Sequence, residues 1–211
     1  MSSSGLSESM LGGYLALFGA TEVFIFVFME IVTKLETIQR VIFKKAQLRD
    51  YAAFVILFGL FSIFGTLIGI QGTHGDIANI RDLAPMVAGL VAGPYVGLAV
   101  GLIGGIHRLS LGGVSCIACS LATVLAGLLA GVVYHLNKGK LLGIIPSMVF
   151  AVGIELLHGG LTLAIVRPYW EAVLIVVTDI PEMIVANSLG VGISVIILHN
   201  TIKTEGPANL E

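Results

Sequence analysis

Two arginines in an apolar chain are the residues best suited to bind a ligand. Arg81 follows Asn79 by two positions, and Arg108 directly follows His107. Charged side chains within or beside an apolar helical bundle are costly and mark functional sites. Two guanidiniums separated by a turn hold a carboxylate through paired hydrogen bonds, which lysine does less well because its ammonium is a point charge. The alternative is interfacial snorkelling or pairing with a nearby acidic residue, Asp76, Asp82 or Glu171.

Small polar residues follow the second arginine. Cys116 and Cys119 share a helix face at i and i+3, with Ser115 and Ser120 beside them. These side chains either line a pocket or serve as small buried packing residues. A zinc site needs about four ligands and only His107 is near, so we expect no metal. A disulfide within one helical turn is poorly shaped.

Three further polar residues, Glu155, His158 and Asn187, lie inside apolar segments. They either pair with one another to fix the packing of the helices or line the same site. The sequence contains no phosphate-binding loop and no evident set of nucleophile, base and orienting acid. We therefore expect a ligand-binding chain without cofactor, and no enzyme.

The amino-acid composition indicates what kind of secondary structure positions these residues. The 211 residues include only 11 Lys and Arg and 13 Asp and Glu, while 56% are apolar and the mean hydropathy is +1.01. A soluble globular domain, a disordered chain, a nucleic-acid-binding protein and a disulfide-rich secreted scaffold are all excluded. Because one crossing needs about 20 apolar residues, the length suffices for about six crossings and no soluble catalytic domain. The predicted fold is an all-α polytopic membrane bundle.

The apolar segments give the domain organisation. Six spans are predicted, at 11–33, 51–70, 83–106, 114–136, 141–166 and 180–198. Residues 1–10 form an N-terminal tail, 34–50 a basic cytoplasmic loop, 51–198 the ligand-sensing bundle and 199–211 a truncated C-terminal tail. Leu210-Glu211 resembles a cloning scar. Asp179, followed by Pro181 and Glu182, is typical of a helix start and is predicted to begin the last span.

Gly93-Pro94 interrupts the third span and decides the topology. If the span were one continuous helix, the Lys and Arg residues would be divided more evenly between the two sides of the membrane, and the C-terminus would lie outside. A turn at Gly93 produces two short helices of about 11 to 14 residues, each too short to cross alone. It also places Arg81, Arg108 and Arg167 together outside, with the N-terminus outside and the C-terminus cytoplasmic. The cytoplasmic cations are then Lys34, Arg40, Lys44, Lys45, Arg49, Lys138, Lys140 and Lys203.

Glycines supply a way to pack such a hairpin. They recur at every fourth position in the broken span, at Gly89, Gly93, Gly97, Gly101 and Gly105. Faces of small residues let helix backbones approach closely, so a packing role is predicted. Gly112-Gly113 is predicted to form a flexible loop after the second arginine.

The stretch DIANIRDLAPMVAGLVAGPYVGLAVGLIGGIHRLSLGG (76–113) resembles the membrane region of LytS/YhcK-type bacterial sensors, the five-transmembrane LYT region. The resemblance continues through Cys119, Glu155 and IVANSLG (184–190) and covers roughly residues 10–200. It implies a multi-pass protein of the bacterial inner membrane joined to a cytoplasmic histidine kinase or diguanylate cyclase, and a homodimer. Some members sense extracellular pyruvate, and others are linked to the control of autolysis.

The resemblance also implies a site. In pyruvate-sensing members, arginines matching Arg81 and Arg108 act with a cysteine matching Cys119. A serine is expected three residues after that cysteine, but Ala122 stands there, and Ser120 or Thr123 replaces it only from another angle. The arginines, with Arg167, would hold the carboxylate. Cys119 and Ser115 or Ser120 would contact the keto end.

A more distant resemblance is to the substrate-binding S-components of vitamin transporters. It rests on a short helix, a Gly-Pro turn and a glycine-spaced helix, and it is an analogy of architecture. The rival hypothesis is therefore a solute-uptake subunit in which the same pocket releases its ligand inward.

Overall fold

The computed structural model describes residues 3–71 and 77–206, so Asp76 and Leu210-Glu211 lie outside the described residues. The described chain is a helical bundle with one two-stranded antiparallel ladder. In chain order its elements are α1 Ser3–Val32, α2 Glu36–Ile42, α3 Leu48–Leu67, β1 Ile70–Gln71, β2 Ile77–Ala78, α4 Leu83–Ala92, α5 Pro94–Ser110, α6 Cys116–Leu136, α7 Ile144–Ile165 and α8 Tyr169–Thr204.

Four of the described helices, α3, α6, α7 and α8, are long and apolar enough to cross a membrane. The apolar helix α4 has only 10 residues, about half of what a crossing needs. The prediction of an all-α polytopic membrane bundle is confirmed. The count of six spans stays a prediction.

The broken third span is confirmed at Gly93. The residue separates α4 from α5 with φ 88° and ψ −177°, a conformation that is essentially restricted to glycine. Pro94 then takes the first helical position, where its missing N–H costs no hydrogen bond. The second half is longer than predicted, because α5 continues for 17 residues to Ser110.

The hairpin of α4 and α5 packs on α6 through glycines. A methyl group on Gly97 would overlap the carbonyl of Gly127, and one on Gly101 would lie 2.8 Å from the carbonyl oxygen of Thr123. Such backbone contacts are possible only for residues without side chains. The turn at Gly93 lies against Tyr134 near the end of α6, so the open end of the hairpin faces the start of α6.

Both ends of the bundle carry cations, but of different types. The end with the hairpin turn holds a cavity of about 400 Å³, and Lys44 and Lys140 are among the residues that line it, with Tyr134 and His199. Arg81 and Arg108 lie at the opposite, open end of the hairpin.

The segment 34–50, predicted as a basic loop, contains helix α2 and the start of α3 at Leu48. Its structure follows from its pattern, because Ile38 and Val41 of α2 are buried, whereas Glu36, Lys44 and Lys45 are exposed. Gln39 of α2 also donates a hydrogen bond to Glu205, just after α8. The cationic segment is thus linked by a side-chain hydrogen bond to the residue that follows the last helix.

The predicted helix start at Asp179 is wrong. Helix α8 begins at Tyr169, after Pro168, and continues through Pro181 to Thr204. Buried Ala172 and Ile175 lie before the predicted start, so the apolar stretch forms part of the same helix. Pro181 removes one intrahelical hydrogen bond, a cost that membrane helices tolerate within a bundle.

Candidate functional site

Arg81 is held in position by its backbone. It lies between β2 and α4, where its N–H donates to Asn79 Oδ1 (2.9 Å) and its carbonyl accepts from Ser62 Oγ (3.0 Å). Gly65 of α3 permits this approach, since a Cβ there would lie 3.0 Å from the Arg81 nitrogen. The side chain of Arg81 is fully buried.

The guanidinium of Arg81 has a free edge. Its Nε donates to Thr123 Oγ1 (2.6 Å) and lies 3.4 Å from Asp82 Oδ1. Both terminal nitrogens, Nη1 and Nη2, are buried and have no hydrogen-bond partner among the residues that the structure describes. A buried cation with unsatisfied donors is costly unless an acceptor is supplied. The paired donors fit the two oxygens of a carboxylate.

Arg108 is fixed by the loop that follows it. Its Nη1 donates to the carbonyl of Gly112 (2.5 Å), and its Nη2 donates to Ser115 Oγ (3.0 Å). The loop closes around the guanidinium because Gly112 and Gly113 both adopt positive φ angles of 72° and 87°. Arg108 is therefore a second buried cation at this end of the hairpin.

His158 of α7 connects a thiol with two carboxylates. Its Nε2 lies 3.3 Å from Cys119 Sγ, and its Nδ1 lies 3.3 Å from Asp82 Oδ2 and 3.5 Å from Glu155 Oε2. The order Cys119, His158, Asp82 is that of a nucleophile, a base and an orienting acid, a set that was not evident in the sequence. Cys119 is 4% exposed, so only a compound that enters the bundle reaches it.

Asn187 ties the last helix to these groups. Its Nδ2 donates to Glu155 Oε1 (2.9 Å) and to the carbonyl of Asn79 (3.2 Å). Helix α8 thus contacts both α7 and the segment that carries Arg81. Ser115, which binds Arg108, also hydrogen-bonds the side chain of Cys119. We call the connected set the polar cluster, which comprises Asn79, Arg81, Asp82, Arg108, Ser115, Cys119, Thr123, Glu155, His158 and Asn187.

The polar cluster includes most of the residues expected from the sequence, among them both arginines, Cys119 and Asn187. Arg167 makes other contacts: its Nη1 donates to the carbonyls of Val166 and Leu163 at the end of α7. Neither the hydroxyl of Ser120 nor Nδ1 of His107 hydrogen-bonds any described residue, so neither atom joins the cluster.

Sequence reasoning underrated Asp82, Thr123 and His158. Asp82 was expected only as a pairing partner, yet it is fully buried and accepts from Thr123 Oγ1 (2.6 Å). Its position directly after Arg81 was the available signal. His158 lies three residues after Glu155, a spacing that places both on one face of α7. Thr123, rather than Ser120, is the hydroxyl that contacts Arg81.

Comparisons with known proteins place the chain among bacterial sensors. The family described as "5TMR of 5TMR-LYT" matches residues 35–201. Sensor histidine kinase BtsS of Escherichia coli K12 is 35% identical over 148 residues, which are 68% of this chain and 26% of BtsS. Sensor protein LytS of Bacillus anthracis is 29% identical over 192 residues, covering 83% of this chain and 32% of that protein.

The chain therefore spans about a quarter to a third of the length of these relatives. No solved structure matches it significantly. The match to the family extends over most of the chain, from α2 through the glycine hairpin and all helices that contribute to the polar cluster. The chain belongs to the five-transmembrane LYT family of membrane sensor regions.

Proposed function

We propose that this chain is the sensory region of an inner-membrane sensor histidine kinase and that its polar cluster binds a small carboxylate, pyruvate in particular. The observation that carries the proposal is the pair of buried Arg81 nitrogens without hydrogen-bond partners among the described residues. A carboxylate satisfies both with one bidentate contact. The family resemblance supports pyruvate as the ligand.

The arrangement of the charges in the polar cluster, rather than their sum, supports an anion at Arg81. Arg81 and Arg108 are opposed by Asp82 and Glu155, and all four side chains are fully buried. Because Asp82 engages Arg81 through Nε, the terminal nitrogens stay available for a ligand. Cys119 and Ser115, which lie between Arg108 and His158, are then the groups expected to contact the keto end.

Signalling would proceed through α8. A ligand shifts a conformational equilibrium only if it binds one arrangement of the helices more tightly than the other. Asn187 is the contact through which α8 senses the segment that carries Arg81. In the full-length protein we expect a cytoplasmic kinase domain after α8 and a homodimer, as the resemblance implies.

Pyruvate titration tests the proposed function. We expect purified protein in detergent to bind pyruvate, with heat measured by calorimetry, and to bind its neutral amide at least about 100-fold more weakly because the paired contact with Arg81 needs a carboxylate. Lactate and propionate are carboxylates that lack the keto group, so their affinities show how much that group contributes to binding. Failure of every carboxylate to bind, or equal binding of the amide, would refute the proposed ligand class.

Labelling from one side of the membrane tests the orientation. In a background with Cys116 and Cys119 replaced by alanine, Ser110→Cys and Lys138→Cys introduce thiols at exposed positions near opposite ends of the bundle. We expect an impermeant maleimide added to intact cells to label position 110 and to label position 138 only after lysis. The reverse pattern would place the arginines on the cytoplasmic side.

A further inference from the structure

Three buried atoms of the polar cluster converge without hydrogen bonds. They are Asp82 Oδ2, which comes from the residue just before α4, and Glu155 Oε2 and His158 Nδ1 of α7, and they lie within 4.8 Å of one another. None of the three has a hydrogen-bond partner among the described residues. We propose that they form a site for a divalent transition-metal ion of the Zn²⁺ type.

A bound metal ion would supply the partner that each of the three atoms lacks. A proton on His158 Nδ1 points at one carboxylate and leaves the other oxygen unsatisfied. A metal ion accepts a lone pair from each of the three. Two carboxylates and an imidazole are an established kind of donor set for transition ions, whereas Mg²⁺ and Ca²⁺ prefer oxygen alone.

The distances fit a metal site. Ligand atoms that lie about 2.1 Å from a tetrahedral ion are separated from one another by about 3.4 Å. The imidazole nitrogen lies 3.3 Å from the oxygen of Asp82 and 3.5 Å from that of Glu155. A fourth position is left for water or for an oxygen of a bound anion.

The other atom of each donor residue is held by a neighbour. Asp82 Oδ1 accepts from Thr123 Oγ1 (2.6 Å), and Glu155 Oε1 accepts from Asn187 Nδ2 (2.9 Å). His158 Nε2 lies 3.3 Å from Cys119 Sγ. Metal-binding residues characteristically have such outer contacts, which fix the orientation of each donor.

Arg81 does not compete for this site. Its Nε faces Asp82 Oδ1, whereas the proposed ligand atom is Oδ2. A dication beside two arginines makes the cluster strongly positive, so an anion should bind more tightly when the metal is present. By linkage the metal then binds more tightly when the anion is present.

Metal titration of the unmodified protein tests the site directly. After treatment with a chelator, we expect purified protein to bind one Zn²⁺ per chain by calorimetry, in buffer without carboxylates and again with pyruvate. We expect Co²⁺ to give the visible absorption of a tetrahedral nitrogen and oxygen site without a thiolate charge-transfer band. Absence of binding in both arms, or a thiolate band that assigns the ion to a cysteine, would overturn the proposal.

Variants locate the ion. Asn187→Leu removes an outer contact of the proposed ligand Glu155, so we expect it to weaken Zn²⁺ binding about 10- to 100-fold. His158→Gln removes a proposed ligand itself, so we expect it to weaken Zn²⁺ binding at least as much. His199→Gln is the matched control, since His199 contacts the carbonyl of Leu142 at the other end of the bundle. Equal Zn²⁺ affinity of His158→Gln and His199→Gln would refute the assignment. Because one arm of the metal titration contains no pyruvate, failure of the metal proposal is distinct from failure of the carboxylate proposal.

Discussion

Arg81→Gln is expected to raise the Kd for pyruvate at least about 100-fold, close to 3 kcal/mol, because it removes the two buried donors that we propose bind the carboxylate. Calorimetry on purified protein measures the change. Arg81→Lys keeps the positive charge but loses the planar pair of donors, so we expect an intermediate loss of about tenfold. An intermediate result would also show that the site still folds.

Arg167→Gln is the matched control for this prediction. The side chain of Arg167 donates to carbonyls at the end of α7 and does not join the polar cluster. We therefore expect its Kd for pyruvate to equal that of the unmodified protein. If Arg81→Gln binds as tightly as Arg167→Gln, the carboxylate does not lie on Arg81. If only Arg167→Gln binds pyruvate more weakly, then Arg167 holds the carboxylate, as the sequence analysis expected.

Gly127→Ala is expected to lower the free energy of unfolding by about 3 kcal/mol or more. Its methyl group would overlap the backbone of Gly97 on the facing helix, and backbone atoms cannot rotate away as a flexible side chain does. The hairpin and α6 would separate, and pyruvate binding would weaken too, because Thr123 on α6 contacts Arg81 across this junction. Thermal unfolding in detergent, followed by circular dichroism, measures the effect.

Gly153→Ala provides the comparison on α7. A Cβ at Gly153 meets no atom within 4 Å, so the substitution should be neutral or should raise stability by up to about 1 kcal/mol through helix propensity. If Gly127→Ala is tolerated as well as Gly153→Ala, with no loss of stability in either, α6 is not packed tightly on the hairpin. Destabilisation by both would point instead to a general cost of substitution at glycine.

The break at Gly93 was predictable because its causes are local. Only glycine adopts its backbone conformation readily, and the following proline fixes the first residue of the next helix. The start of the last helix was predicted wrongly by the same local logic. Asp179 and Pro181 carry the pattern of a helix start, but the apolar residues before them are buried within one helix, and that burial outweighs a single missing hydrogen bond.

The composition of the polar cluster was predictable only in part. Arg81 and Arg108 stand out because cations are rare in an apolar chain. The contact of Arg81 with Thr123 joins residues 42 positions apart, and that of Asn187 with Glu155 joins residues 32 apart. Such pairings depend on how the helices pack, and no spacing rule within one helix supplies them.

Pro181 provides a point at which helix α8 can bend. Because Pro181 leaves one intrahelical hydrogen bond unmade, we expect this 36-residue helix to bend most readily there, and the helix after it is uninterrupted to Thr204. At 1.5 Å per residue, Asn187 lies about 9 Å and Thr204 about 35 Å beyond Pro181 along the helix. If α8 pivots at Pro181, these two distances multiply a displacement about fourfold, so that half an ångström at Asn187 becomes about 2 Å at the end of the helix.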